Sequence, residues 1–499
     1  MFNKMDILTL ENIIHHLNCK WKLQTLYYWI GVSPLFNPAD MYEGYDRFLN
    51  VYAIKSTNEI KAHKQRICIK HGLIDHYMQK LLMPYEAEMR TWMLGAAAYV
   101  HGKKIYIKEI IPYCQKLSTY EDRQILQKEV SALCKFLKPF VLNYWDMLLD
   151  ILINELGFDS YIDYCQQKKG LDYSYFYKLL KRILKLTDDI YYPKMQEWTI
   201  KKFGLSLESL TRFDAINLLS LGEFDYIFPH NGLALFMEFL KSWDIDVAKV
   251  PGLYLDISYN QKKSAQAMSF IIQIPEEIYI VIRPVGGWID IETLAHEIGH
   301  GLSAAYTNPQ LPLIDRDLST SYILSESFAF LLQNISISYP FLKHILNISD
   351  YDANILYYYK VLKDISIFRR YATKFIVEYE MFSKDNISDG TIYSDYMSSY
   401  TGFYYQPESH LFDLVPEFYS LDYIIAWIIE AIMERYLRKG FGDKWIFKRE
   451  AVDVIKRWWY QGNKYDIYKF LDINQIGEFS IKPLLERWEM VLDANRHNI

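Results

Sequence analysis

Thr293-Leu-Ala-His296-Glu297-Ile-Gly-His300-Gly-Leu-Ser303 is the stretch on which the reading of this chain turns. His296 and His300 stand four residues apart. On a helix of 3.6 residues per turn that spacing brings both imidazoles to one face, where they can grip one metal ion. Glu297, the next residue after His296, is rotated by about 100°. It does not easily share the ion with both histidines, but it can reach a water bound there. Catalytic zinc takes three protein ligands and keeps a fourth position open, and two His plus a carboxylate is a standard set. The chain must then supply an acid from a nearby element, and Glu326, in Ser325-Glu326-Ser327, is the candidate. With 12 His in 499 residues, a His-Glu-x-x-His pattern is expected by chance about 0.02 times. Coincidence is a poor explanation.

The flanking sequence supports a helix here. Asp290 and Thr293 occupy N-cap and first-turn positions after Gly286-Gly287. Upstream, Met268-Ser-Phe-Ile-Ile-Gln-Ile274 and Ile278-Tyr-Ile-Val-Ile-Arg283 read as two short strands around Pro275-Glu276-Glu277. Downstream, Tyr322 to Ile335 repeats apolar residues at helical spacing, with Glu326 on a polar face. A strand beside a metal-binding helix can hold an extended peptide by β-addition, through main-chain groups rather than side chains.

Composition narrows the class. At 51% hydrophobic, 499 residues suffice for a large core. The formal charge of −6 is mild and no long basic block occurs, so nucleic acid is not expected as a partner. Cys19, Cys68, Cys114, Cys134 and Cys165 include no C-x-x-C pair, which suits free thiols in a reducing cytoplasm. The opening residues lack a basic segment followed by an apolar run, so no signal peptide is expected. The richest apolar run, Tyr423 to Met433, is short and broken by Glu430. It reads as a buried helix, and no membrane span is expected. The 43 Tyr, 27 Phe and 12 Trp, doublets such as Tyr191-Tyr192 included, read as packing rather than as a binding platform.

Residues 1–245 read as helical almost throughout, with stripes such as Trp145, Leu149, Leu152 and Leu156. Their histidines show no ligand spacing. A break near Trp243 to Pro251 divides the chain into 1–245, an N-terminal helical lobe, and 246–499, which carries the chemistry.

Thr-Leu-Ala-His296-Glu297-Ile-Gly-His300, the Glu326-Ser327 helix, a late His410 and then Phe418-Tyr419-x-x-x-Tyr423 resemble the thimet oligopeptidase and oligoendopeptidase F family. The resemblance is strongest over roughly 250–450. It implies a mainly α fold, with two helical lobes flanking a deep channel that admits short peptides and a small β-sheet next to the zinc helix. It implies one zinc ion held by His296, His300 and Glu326, and Glu297 as general base. It also implies that His410, Tyr419 and Tyr423 touch the substrate and its oxyanion. Ser420 and Leu421 depart from the pattern, since further aromatics are common there. Tyr423 is the first choice as oxyanion donor and Tyr419 the second. Arg283 and Arg316 could meet a peptide carboxylate or form structural salt bridges. The 26-residue spacing from His300 to Glu326 also fits the thermostable carboxypeptidase family, whose other sequence blocks are absent. Three readings follow: an oligoendopeptidase, a metallocarboxypeptidase, and a peptide-binding protein without turnover. Oligomeric state is not legible.

Overall fold

A computed structural model describes residues 6–32 and 39–494. The chain is mainly helical. The elements that matter to the site are α1 (Ile7–Trp29), α2 (His63–Gly95), strands β1 (Ala97–Val100) and β2 (Lys103–Tyr106), α3 (Tyr120–Asp150) and α4 (Tyr161–Lys169). After these come β3 (Leu253–Asp256), β4 (Met268–Gln273), β5 (Glu277–Val281), α5 (Trp288–Ala305), α6 (Ile323–Ser336), α7 (Asp350–Ser383) and α8 (Tyr419–Phe441).

The two strands expected around Pro275 form an antiparallel pair, with Ser269 opposite Ile280 and Ile271 opposite Ile278. A third strand, not anticipated, adds β3 parallel to β5, giving the order β3-β5-β4. β4 is therefore an edge strand. One face of the sheet is covered by α1, where Leu26 packs with Phe270, Ile272 and Val281. On the other face Gly301 of α5 lets Ile280 and Leu253 approach the helix backbone.

The expectation that 1–245 is helical almost throughout meets an exception at β1 and β2, an antiparallel hairpin with Ala98 opposite Ile105. Four-residue strands are too short to show a period-2 pattern against a helical background. The Trp145 to Leu156 stripe is helical, but its last residues, Ile151–Glu155, wind as a π-helical turn.

A single apolar cluster draws residues from Leu10 to Leu492 and crosses position 245 without a break. Among the described residues, no helix is long and apolar enough to cross a membrane. The run from Tyr423 to Met433 lies inside α8, where Ile424, Ile428, Ile432 and their neighbours are fully buried. The five cysteines are all free thiols. In the Tyr191-Tyr192 pair, Tyr191 is buried and its hydroxyl donates to Thr401 O at 2.6 Å, a packing role.

Candidate active site

The start of α5 is fixed by backbone demands. Gly286 and Gly287 have φ of +96° and +78°. A Cβ on Gly287 would come 1.9 Å from Asp225 Oδ1, which instead accepts from the N–H of Trp288 at 3.1 Å. Gly287 is thus the N-cap, one correction to the sequence reading. Asp290 sits in the first turn and turns back to accept from Val285 N at 2.9 Å and Gly286 N at 2.7 Å. The helix begins before the motif, as expected, but a glycine loop takes the capping place.

α5 then meets α6 closely. A Cβ on Gly299 would lie 2.5 Å from Ala329 Cα and 2.8 Å from Phe328 O. Only a residue without a side chain lets the two backbones approach so far. That approach carries Glu326 to the histidines. Nε2 of His296 and Nε2 of His300 are 3.2 Å apart, and each lies 3.4 Å from Glu326 Oε2. Three donor atoms from two helices thus form a near-equilateral triangle. Four ligands placed tetrahedrally at zinc's usual 2.0–2.1 Å are about 3.3 Å from one another.

The surrounding groups prepare those atoms. His296 Nδ1 pairs with Gln333 Oε1 at 2.9 Å and His300 Nδ1 with Ser325 Oγ at 2.7 Å. With Nδ1–H donating to these groups, Nε2 on each ring carries a lone pair, the arrangement a metal ligand requires. Two lone pairs facing a carboxylate oxygen repel unless a cation lies between them. Glu326 is buried, and its Oε2 has no hydrogen-bond partner. Burial alone would raise its pKa, but His300 and His296 hold it well below the usual carboxylate range. Burial likewise pushes His296 down, yet Glu326 and then Glu297 bring it above its ordinary value. His296, His300 and Glu326 fit a divalent cation, by donor type and by spacing.

Glu297 stands beside the triangle rather than in it. Its Oε2 accepts from Ser269 Oγ at 2.7 Å, and the same hydroxyl lies 3.0 Å from Glu297 O. Ser269 belongs to β4, so the edge strand and the carboxylate are tied together. Sequence reasoning did not single out Ser269. The predicted strand two elements upstream of the motif was the available signal.

The late residues divide. Tyr419 donates to Glu326 Oε1 at 2.6 Å. Tyr423 packs edge-on to Tyr419 at 5.0 Å and stacks on Tyr371 at 4.9 Å. Its hydroxyl has no hydrogen-bond partner among the described residues. Burial, and then the Glu326 charge, raise both phenols far above their ordinary range, so both stay protonated at neutral pH. His410 does not join them. It is buried, with Nδ1 2.8 Å from Pro407 O and Nε2 2.9 Å from Ile387 O. Both ring nitrogens face main-chain carbonyls, and burial lowers its pKa. In this structure the ring braces the main chain at Pro407 and Ile387. Arg283 forms a bidentate bridge to Glu109 at 3.0 and 2.7 Å, and Arg316 pairs with Asp317 at 3.0 Å. Arg283 is thus engaged by a salt bridge, while Arg316, besides its pair, also lines the cavity beside the site.

Beside the site runs a cavity of about 490 Å³, walled by α1 and α2 through Asn18, Lys22 and Asp75 and by the later half through Ser325, Tyr322 and Glu417. No protein-family model matches the chain, and no curated protein matches it. Solved structures do. One is described as a candidate oligoendopeptidase F from Bacillus anthracis strain Ames, at TM-score 0.63 and 13% identity over 91% of this chain and 85% of that one. The fold is shared. PZ peptidase A with an inhibitor aligns at TM-score 0.61 and 13% identity over 97% and 86% of the two chains. Trypanosoma cruzi metallocarboxypeptidase 1 aligns at 0.55 and 13% over 98% and 99%. All are peptidases by description, and the mainly α architecture is common to them and to this chain.

Proposed function

We propose that this chain is a zinc peptidase that cleaves short peptides at internal bonds. The observation that carries the reading is the triangle of His296 Nε2, His300 Nε2 and Glu326 Oε2, with its orphaned carboxylate oxygen and with Glu297 alongside. The peptidases that share the fold support it. In this reading residues 1–245 supply one wall of the cleft and 246–499 the other, and the cavity between α1, α2 and the site admits the peptide. The five free thiols suit a cytoplasmic setting.

Zinc held by the two histidines and Glu326 would act as a Lewis acid, lowering the pKa of a coordinated water to about 7 and polarising a carbonyl. Glu297 takes the proton of the attacking water and returns it to the leaving amine, base and then acid in one cycle. Ser269 keeps the Glu297 carboxylate turned toward that task. Tyr423 offers an uncommitted hydroxyl to the charge that grows on the carbonyl oxygen, and one such donor is typically worth about 3 kcal/mol. Tyr419 supports Glu326 instead. Only part of the β4 edge is open to β-addition, because Cys19 Sγ already donates to Ile272 O at 3.3 Å and Asp317 Oδ1 accepts from Ile274 N at 2.8 Å. The peptide would pair near Met268–Phe270, the end next to Ser269.

Glu297→Gln should abolish hydrolysis while one zinc per chain stays bound; turnover retained in that variant ends the reading. One of the structures that share the fold is described as a metallocarboxypeptidase, so removal of C-terminal residues is the second mode to test at the same site. Cutting of a C-terminally amidated peptide at an internal bond excludes that mode, whereas stepwise loss of C-terminal residues establishes it. Purified protein without stoichiometric zinc would favour a binding role without turnover.

A further inference from the structure

The first turn of α8 and the turn just before it are gripped from the other half of the chain by two consecutive lysines at the end of α4. Lys168 Nζ lies 2.7 Å from Glu417 Oε1 and 2.8 Å from Asp75 Oδ1 of α2. Lys169 Nζ lies 2.9 Å from Asp422 Oδ2, with side-chain exposures of 2% and 0%, and sits 5.7 Å from the centre of the Tyr419 ring. Between the two contacts the backbone is strained. Glu417 and Phe418 have φ of +59° and +52°, the left-handed region that glycine enters freely and other residues enter at a cost. Their amides are held as well: Glu417 N donates to Tyr161 OH at 2.6 Å and Phe418 N to Glu378 Oε1 at 3.3 Å. Strain of this kind persists only where the surroundings over-determine it. Tyr419 follows at once, with its hydroxyl on Glu326.

Buried ion pairs stabilise folds poorly, since apolar replacements of the same volume are often as good. Here Lys169–Asp422 is buried and Lys168–Glu417 only partly so, with 28% of the Glu417 side chain exposed. Coming from adjacent residues and meeting the chain on either side of Tyr419, the two pairs do something more specific. We propose that Lys168 and Lys169 are positioning residues: by holding Glu417 and Asp422 they set the start of α8, so that Tyr419 meets Glu326 and Tyr423 stands at the same site. The link to Glu326 rests on its reading as a zinc ligand; the grip on the backbone does not.

Two measurements separate these parts. Hydrogen exchange needs neither metal nor substrate. In Lys168→Met the amides of Glu417 and Phe418 should exchange at least tenfold faster while those of α5 are unchanged. Zinc affinity, by competition with a chromophoric chelator, should fall about tenfold in Lys168→Met and in Tyr419→Phe, the loss common for outer-shell partners. The double variant should lose no more than twofold beyond either single one. Unchanged exchange in folded Lys168→Met overturns the grip. Faster exchange with unchanged zinc affinity, or losses that multiply in the double variant, overturns the link to Tyr419 and Glu326. Should Lys168→Met not fold, Glu417→Gln decides by the same two readings with a threefold threshold, because it leaves Lys168 paired with Asp75. A parent chain that binds no zinc or cuts no peptide ends the peptidase reading, and the exchange result still decides the grip.

Discussion

Ser269 shows how much a single hydroxyl can matter beside the carboxylate proposed as general base. It donates 2.7 Å to Glu297 Oε2, from a strand rather than from the helix that carries the motif. A hydrogen bond to a charged group is worth about 1.5–3 kcal/mol. Without it, the Glu297 side chain loses its heading. Ser269→Ala should therefore lower kcat roughly tenfold, with KM nearly unchanged and zinc still stoichiometric; steady-state kinetics beside metal analysis measures this. A rise in KM alone would mean that Ser269 touches substrate. The residues that sequence spacing could name were those fixed by the helical period, His296, Glu297 and His300. Glu326 was legible because the ligand set required one more acid. Ser269, Gln333 and Ser325 were not, since they meet the site through tertiary contacts that no local period encodes. His410 was named by its order in the motif alone, and the main-chain carbonyls at both its ring nitrogens are surroundings that order could not show.

At the scale of elements, the crossing of α5 and α6 decides whether the three donor atoms meet. Gly299 lies inside the motif, where its helical setting makes it look like a tolerated weakness. The structure gives it a steric reason, because the atoms a Cβ would strike belong to the Ala329 and Phe328 backbone. Backbone cannot swing aside as a side chain would. Gly299→Ala must push the helices apart, at a cost of about 1–3 kcal/mol for overpacking. Displacing Glu326 should weaken zinc binding more than it lowers the melting temperature, and both are read on one preparation. Normal zinc affinity in the alanine variant would show that the crossing has slack. Long helices and the paired strands around Pro275 were readable from their periods. β3 and the β1–β2 hairpin were not, since four residues carry too little pattern.

For the whole molecule, the question is whether the proposed zinc would build the site or the fold does. In small zinc domains the metal is the fold, and chelation unfolds them. Here the proposed ligands project from helices already seated in a cluster that runs from Leu10 to Leu492. α5 buries Ile291, Leu294, Ala295, Ile298 and Leu302, and α6 buries Phe328, Leu331 and Ile335. None of that packing involves the ion. Chelation should consequently remove peptide cleavage while leaving far-UV circular dichroism unchanged. Stability should fall by only the linkage term, about 4 kcal/mol when free zinc stands 1,000-fold above its Kd, read as a lower melting temperature. Adding zinc back should restore activity without a refolding delay, as expected when Gln333, Ser325 and Tyr419 already hold the ligands in place. Loss of helical signal on chelation would mean instead that repulsion among two imidazole lone pairs and a buried carboxylate is strong enough to open the core, and that the ion is a structural member as well as a reagent.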